Sequence, residues 1–453
     1  VPAVPAVPAV PAVALASRRT APRPRWAVGL VVATLALVGA APAGASFRTE
    51  RTGPTGRDAR AYAGVIDAGS SGSRVALYET RGEGRRLRVE ALHFYNPNDG
   101  GPGIAGLATF VGAPERAGPD GIAPLLADLD RVLAVRGIAR ADVPIDVLAT
   151  AGMRNVERDA PTATGPIYAS VRRTVEDAGY TVGRIGTMPG RDEAVYSWAA
   201  VNYLTGALRS GRRTTGIAEV GGASAQVAFE TTGRGPDVEV RRIMGTRRRL
   251  LAVSYLGLGR NDARATMIAP DASAVGSPCW PNNAAGVAPA AYAAGNVRPV
   301  AAAASLFSWA RCSAVALAAI DDTVTRPVNA DRIRPTAVRD VAGFTATRFV
   351  GIDKLTEAYE EFGIGPGAGV GPELGPRVRA VCPGPDAWSR VRAGFDGDTG
   401  STAQNACANA TFVATWLFSP RALRIPPERL APRFDLAGTT LTWTLGHVIL
   451  AAS

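Results

Sequence analysis

Lysine is almost missing from this chain: Lys354 stands alone beside 49 arginines. It follows Asp353, so no Walker-type loop with its Gly-Lys-Ser/Thr ending can exist. Histidine is nearly as scarce. With only His93 and His447, a multi-histidine zinc centre is excluded and Ser-His nucleophilic chemistry has few candidates. There are four cysteines and no Cys-x-x-Cys, which argues against structural zinc. Aromatics are only 6% of the residues, too few for an obvious base-stacking platform. The formal charge of +11 comes from scattered arginines whose runs are short (Arg212-Arg213, Arg241-Arg242, Arg247–Arg249). We therefore expect no nucleic-acid partner. A hydrophobic content of 47% excludes global disorder, and 453 residues suit about three domains or one large two-lobed unit.

Residues 1–13 repeat Val-Pro-Ala, an extended low-complexity pattern with no core. Arg18, Arg19, Arg23 and Arg25 follow, then an apolar run from Trp26 to about Ala41, then Ala43-Gly44-Ala45. A basic stretch, an apolar stretch and a small-x-small exit make a secretory signal pattern. The run is short for a spanning helix of about 20 residues, so a membrane partner is expected only if this segment is retained as an anchor. Losing residues 1–45 removes four arginines and no acids, which lowers the charge from +11 to +7. The expected location is outside the cytoplasm, periplasmic or secreted. The cysteines agree, since an even number in an exported chain suggests disulfides. Of the three pairings, we expect Cys279–Cys312 and Cys382–Cys407, each closing one local loop.

The informative stretch begins at Ala63, AGVIDAGSSGSRVALYE. Val65-Ile66 and Val75-Ala76-Leu77 are β-favouring flanks around Gly69, Ser70, Ser71, Gly72 and Ser73, so the segment reads as strand, tight turn, strand. Glycine lets backbone approach a ligand, and successive N–H groups in such a turn form an anion nest. Asp67 sits beside that nest. A carboxylate next to a phosphate cradle repels it unless a cation lies between, so Asp67 implies Mg²⁺ or Ca²⁺, held directly or through water. The pattern recurs about 150 residues later as TGIAEVGGASAQVAFE, with Glu219-Val220-Gly221 echoing Asp67-Ala68-Gly69. Two such hairpins suggest a duplicated lobe with phosphate held between the copies. Between them, Ile145–Thr150 reads as a strand running into Ala151-Gly152-Met153-Arg154, which suits a further phosphate contact. Val195, Trp198, Ala199 and Asn202 recur at helical spacing, with Gly206 as the stop and Glu193 in the first turn.

Together these segments resemble the apyrase family, the nucleoside triphosphate diphosphohydrolases. The four motifs are DAGSSGSR at 67–74, ATAGMR at 149–154, DEAVYSWAAVNYLTG at 192–206 and EVGGASAQVAF at 219–229. SYLGLG at 254–259 and WTLG at 443–446 resemble the stretches that follow them in that family. The resemblance implies an α/β fold of two ribonuclease-H-like, actin-like lobes with nucleotide between them. It implies lobe I at 60–188 and 430–453, lobe II at 189–429, and a linker at 46–59. It also implies a secreted hydrolase that releases terminal phosphate from nucleoside tri- and diphosphates. Glu193 would be the general base, with Ser224 and Gln226 holding the attacking water. Gly69, Ser70, Ser71, Gly72, Ser73, Arg74, Thr150, Ala151, Arg154, Gly221, Gly222 and Ala223 would hold phosphate. Asp67 and Glu219 would position a divalent Mg²⁺ or Ca²⁺, usually through its waters.

Three positions depart from the family pattern: Glu219 replaces an Asp, Ala194 a Gly and Ala225 a Thr. The first puts metal preference in question. The family sandwiches the base with side chains of lobe II, often aromatic, but the match around Phe344, Phe412 and Trp416 assigns none of them, and core packing is the expected role of all three. The rival readings are an exopolyphosphatase or guanosine-pentaphosphate phosphohydrolase of the same superfamily, a sugar kinase or actin-like ATPase, and a catalytically silent nucleotide-binding protein.

Overall fold

The structure, a computed structural model, describes residues 60–97, 103–268, 278–280, 307–365, 371–383 and 401–453. The expected leader and linker over 1–59 lie outside the described residues. Two sheets organise the rest. The first holds β1 (Arg60–Ala68), β2 (Ser73–Arg81), β3 (Arg88–Tyr95), β4 (Ile145–Ala149) and β5 (Val182–Thr187), in the order β3-β2-β1-β4-β5. The second holds β6 (Gly216–Val220), β7 (Ser224–Glu230), β8 (Val238–Ile243), β9 (Thr246–Leu256), β10 (Phe349–Asp353) and β11 (Leu430–Pro432), in the order β11-β10-β6-β7-β9-β8. With β8 set aside as an added edge strand, the two orders match. In each, the first strand runs antiparallel to the second and parallel to the fourth. This is the ribonuclease-H-like order built twice, the two-lobed actin-like α/β fold that the sequence motifs imply.

Parity along the central strands decides which side chains can reach the space between the lobes, because successive residues of a strand face opposite ways. In β1, Ile66 and Ala68 join a core with the helices α1 (Ala123–Arg136) and α3 (Pro161–Asp177), which flank α2 (Ala151–Asp159) in the chain. Val65 joins a different core, shared with α4 (Gly190–Leu204) and the C-terminal Trp443–Ala451 helix. Asp67 has the parity of Val65. In β6, Ala218 and Val220 belong to the second lobe's own core, while Ile217 belongs to the shared one. Glu219 has the parity of Ile217. Both acids therefore face inward from equivalent strands.

Helix α4 is buried at every residue from Glu193 to Tyr203, as expected of a helix covered from several sides. It ends on Gly206 at φ 74°, the left-handed stop expected from the sequence. The remaining helices used below are α5 (Arg260–Ile268), α6 (Trp309–Thr325), α7 (Lys354–Glu360), α8 (Ser401–Phe418) and α9 (Trp443–Ala451). Helix α9 packs across α4, and Gly446 makes the crossing close: a Cβ there would lie 1.8 Å from the Tyr196 carbonyl oxygen.

One boundary needs correction. The return to lobe I was expected at residue 430, but Leu430–Pro432 pairs in parallel with β10 in the second sheet. The ladder ends at Pro432, and the Arg433 N–H makes the last bond to β10, to the Gly351 carbonyl at 2.9 Å.

The cysteines pair as Cys279–Cys312 and Cys382–Cys407, with Cα separations of 4.9 and 6.0 Å. All four sit in the second lobe's core, where α6 and α8 pack. Phe344, Phe412 and Trp416 are in that core too, at most 2% exposed, with Phe344 edge-on to Phe229 and Trp416 edge-on to Tyr255. Packing accounts for all three, and none is placed to stack on a ligand.

Candidate active site

The two glycine-rich bends face each other. A Cβ built on Gly222 would lie 2.3 Å from Ser70 Oγ and 2.4 Å from Ser71 Oγ. Both bends are tight for local reasons. Gly72 has φ 152°, and a Cβ on Gly69 would meet the Gly72 carbonyl at 2.9 Å. Behind the second bend, the Arg260 and Asn261 N–H groups at the start of α5 donate to the Gly221 and Gly222 carbonyls, both at 2.8 Å. Asn261 also reaches across, its amide donating to Ser71 Oγ at 3.3 Å. Thr150 caps the start of α2, with its N–H on the Ala68 carbonyl at 3.3 Å, so Thr150 and Ala151 flank the first bend.

Beside the bends lies one hydrogen-bonded cluster. Arg154 Nη2 donates to Glu193 Oε2 at 2.6 Å and to Ser224 Oγ at 3.2 Å. Gln226 Nε2 donates to Glu193 Oε2 at 3.0 Å, to Ser224 Oγ at 2.6 Å and to Ser254 Oγ at 3.2 Å. Gln226 Oε1 is buried without a partner, an acceptor left over in the middle of the cluster. The three residues expected to activate water are thus in mutual contact, drawn from α4 and β7. Arg154, expected on phosphate, grips the carboxylate instead. Gly190 makes room for it, since a Cβ there would lie 2.0 Å from Arg154 Nη1 and 2.4 Å from Ser254 Oγ.

The two inward acids differ in their partners. β1–β2 register sets Arg74 opposite Asp67, and Arg74 Nη1 donates to Asp67 Oδ2 at 2.9 Å. β6–β7 register sets Gln226 opposite Glu219. The longer Glu219 side chain accepts a hydrogen bond from Ser197 Oγ at 2.7 Å, which ties it to α4 one turn beyond Glu193.

A family model described as the GDA1/CD39 (nucleoside phosphatase) family matches residues 55–453. The chain belongs to this family. Among curated relatives, ectonucleoside triphosphate diphosphohydrolase 2 of Mus musculus is 30% identical over 241 residues, covering 49% of this chain and 46% of that protein. A guanosine-diphosphatase of Schizosaccharomyces pombe is 32% identical over 225 residues, covering 45% of this chain and 37% of its own. The chain thus spans about half the length, or less, of the curated relatives it matches. The solved structure of nucleoside triphosphate hydrolases from Neospora caninum shares the fold, with a TM-score of 0.56 at 16% identity, covering 87% of this chain and 93% of that one.

Burial raises the carboxyl of Asp67 above its ordinary value; Arg74 opposes this, and the Trp443 indole favours the charged form without reaching hydrogen-bond geometry. Burial likewise raises Glu193, with Arg154 opposing and Asp67 adding to the rise. Glu219 is raised well above its ordinary value, by burial first and then by the charges of Glu193 and Asp353. Asp67, Glu193, Glu219 and Asp353 act on one another in low dielectric, opposed by Arg74 and Arg154 and, at Asp353, by Arg260, so acids outnumber bases there.

That imbalance suits a cation. Asp67 Oδ1 is buried with no hydrogen-bond partner, an acceptor of the kind a metal or its water would take up. No group of three or more His, Cys, Asp or Glu converges to ligate a metal among the described residues, so a cation here would keep most of its waters. The residues fit water-mediated holding by Asp67 and Glu219 better than an all-protein cage.

Ser197, Asn261 and Asp353 were not picked out from the sequence. Ser197 was legible in principle, four residues after Glu193 and hence on the same face of α4. Asp353 was not. It ends β10, opposite Val220 in register, as Ala149 lies opposite Ala68 in the other lobe. Parity would send it with Phe349 to the far face, but it is a non-glycine residue at φ 58°, a conformation costing on the order of 1–3 kcal/mol. Its Oδ2 lies by Gly221, and its charge acts on Asp67, Glu193 and Glu219.

Proposed function

We propose that this protein is a nucleoside tri- and diphosphate phosphohydrolase. The observation that carries the reading is the meeting of the two bends over one cluster of Glu193, Ser224, Gln226 and Arg154. The matched relatives named as a nucleoside triphosphate diphosphohydrolase and a guanosine-diphosphatase support it. The polyphosphate lies between the bends, with Gly69–Ser73 and Gly221–Ala223 offering N–H and hydroxyl donors. Thr150 and Ala151 extend the cradle, and Arg74 and Arg154 supply positive charge.

Glu193 takes a proton from water as the water oxygen bonds to the terminal phosphorus. The bridging P–O bond breaks, and its electron pair leaves on the shorter nucleotide. Ser224 and Gln226 hold the water, with Gln226 Oε1 accepting its second proton in a hydrogen bond. A divalent Mg²⁺ or Ca²⁺ held by Asp67 and Glu219 through water would neutralise charge on the phosphates. The chain's own contribution is positioning and general-base help. Lobe I then comprises 60–188 with the C-terminal helix, and lobe II runs from 189 through Pro432. The paired cysteines support an exported protein. No helix among the described residues is long and apolar enough to cross a membrane.

The direct test is phosphate release from ATP, ADP, AMP and polyphosphate with Mg²⁺ or Ca²⁺. We expect cleavage of the tri- and diphosphate, none of AMP, and loss of activity on chelation. Release from polyphosphate alone would shift the assignment to an exopolyphosphatase. Binding of nucleotide without turnover would mark a silent binding protein.

The pH profile follows from burial of the base. Glu193 must be ionised to accept a proton, and burial raises its pKa, so activity falls on acidification at a pH above the usual carboxylate range. Arg154 stabilises the ionised form, so Arg154→Ala moves the acid limb of kcat/KM to higher pH. A limb that stays in place or moves down would remove Glu193 as the base.

A further inference from the structure

We propose that a cavity beside the catalytic cluster is an anion site that receives orthophosphate after cleavage; this rests on the hydrolase reading above. The cavity has a volume of about 160 Å³, and its lining includes Arg154, Gly190, Arg191, Asp237, Ser254 and Arg332. It shares a wall with the water-activating groups, because Arg154 holds Glu193 and Ser224 while Ser254 Oγ accepts from Gln226. From there it follows β9. Leu256, Ser254 and Ala252, alternate residues of one face, all line it. They lie opposite Ser224, Gln226 and Ala228 in turn, so the cavity runs away from the second bend for roughly 13 Å of strand.

That direction matters for the product. In an in-line displacement the phosphoryl group moves from the leaving oxygen toward the attacking one. Water is held by Glu193, Ser224 and Gln226, so the new orthophosphate forms on their side, at the mouth of this cavity.

The charge of the lining suits that product. Asp237, 1% exposed, accepts from Arg191 Nη2 at 2.9 Å and from the Ile333 N–H at 2.6 Å. Arg332 Nη1 is 3.8 Å from Asp237, beyond hydrogen-bond reach. Its other acid, Asp331, lies at 3.5 Å and is 73% exposed, so solvent screens it. The charged residues of the lining are thus three arginines and one buried aspartate, with Glu193, Glu239 and Asp331 acting on those arginines from outside it. Guanidinium forks bind phosphate oxygens in pairs, and a narrow cleft focuses their field. Arg154 belongs to both spaces, and its Nε is buried without a partner. It can hold the leaving phosphate as that phosphate parts from Glu193.

The test separates this site from the reaction. In Glu193→Gln protein, where turnover is removed, inorganic phosphate alone is titrated and the thermal midpoint or binding heat is read. We expect saturable binding that Arg332→Ala weakens about tenfold and Arg332→Lys partly restores. In the parent enzyme, Arg332→Ala should raise the inhibition constant of phosphate by a similar factor while the KM for nucleotide holds. Equal phosphate binding with and without Arg332, or a KM that rises in step with the inhibition constant, would overturn the exit site. Failure of the hydrolase reading looks different: the parent releases no phosphate from nucleotides at all. Arg332 is half-buried rather than part of the core, and Arg332→Gln serves as a second variant should Arg332→Ala misfold.

Discussion

Glu193→Gln is expected to lower turnover by about 10²–10⁴-fold while nucleotide binding survives. The size of the effect follows from the role, since a positioned base contributes on that scale and nothing else nearby replaces it. The alternative acids are poorly placed. Asp67 is paired with Arg74, and Glu219 is tied to Ser197, away from the water held by Ser224 and Gln226. The fold should be unaffected. An amide oxygen still accepts from Arg154 Nη2 and Gln226 Nε2, so the cluster keeps its geometry and loses only its charge and basicity. Steady-state rates, with calorimetric binding of a nucleotide, make the comparison. A variant within about tenfold of the parent would take the base role away from Glu193.

Gly446→Ala is expected to give a large loss of stability for a single added methyl group. Its Cβ would sit 1.8 Å from the Tyr196 carbonyl oxygen, 2.5 Å from the Tyr196 carbonyl carbon and 2.7 Å from its Cα. These are backbone atoms of a buried helix, so no side chain can rotate away. Overpacking of a core costs about 1–3 kcal/mol where side chains can yield, and here the upper end or more is expected. The thermal midpoint should fall by several degrees. Activity should fall as well, because α4 carries Glu193 into the site. Gly165→Ala is the control. It lies inside α3 and a Cβ there meets no other part of the fold within 4 Å, so its only cost is the local one against the following Pro166, and the loss should be well below that of Gly446→Ala. An unchanged midpoint for Gly446→Ala would mean that α4 and α9 do not cross as closely as described.

Much of the site was legible because its parts are local. Strand, bend and strand around Gly69 and again around Gly221 are written in alternation and turn residues. So is the helix that carries Glu193, down to its stop at Gly206. The disulfide pairs followed from loop closure alone. The lobe boundary was misplaced because β11 is three residues long and has no pattern of its own. It exists only by pairing with β10. For Phe344, Phe412 and Trp416 the expected core role holds, since all three are buried.

What the sequence by itself determined was the chemistry available: two acid-led glycine bends, a carboxylate at a helix start, and a serine and glutamine on a return strand. These depend on short-range backbone preferences and on residue type. What only the tertiary structure decided was who meets whom. Arg154 lies on Glu193 with its Nε unpartnered, and Glu219 is held by Ser197. Asp353 turns toward Gly221 against its strand parity, and Arg191 and Arg332 converge on one buried aspartate. Such meetings join residues tens to hundreds of positions apart. They are set by how two copies of one sheet close on each other, which no local pattern encodes.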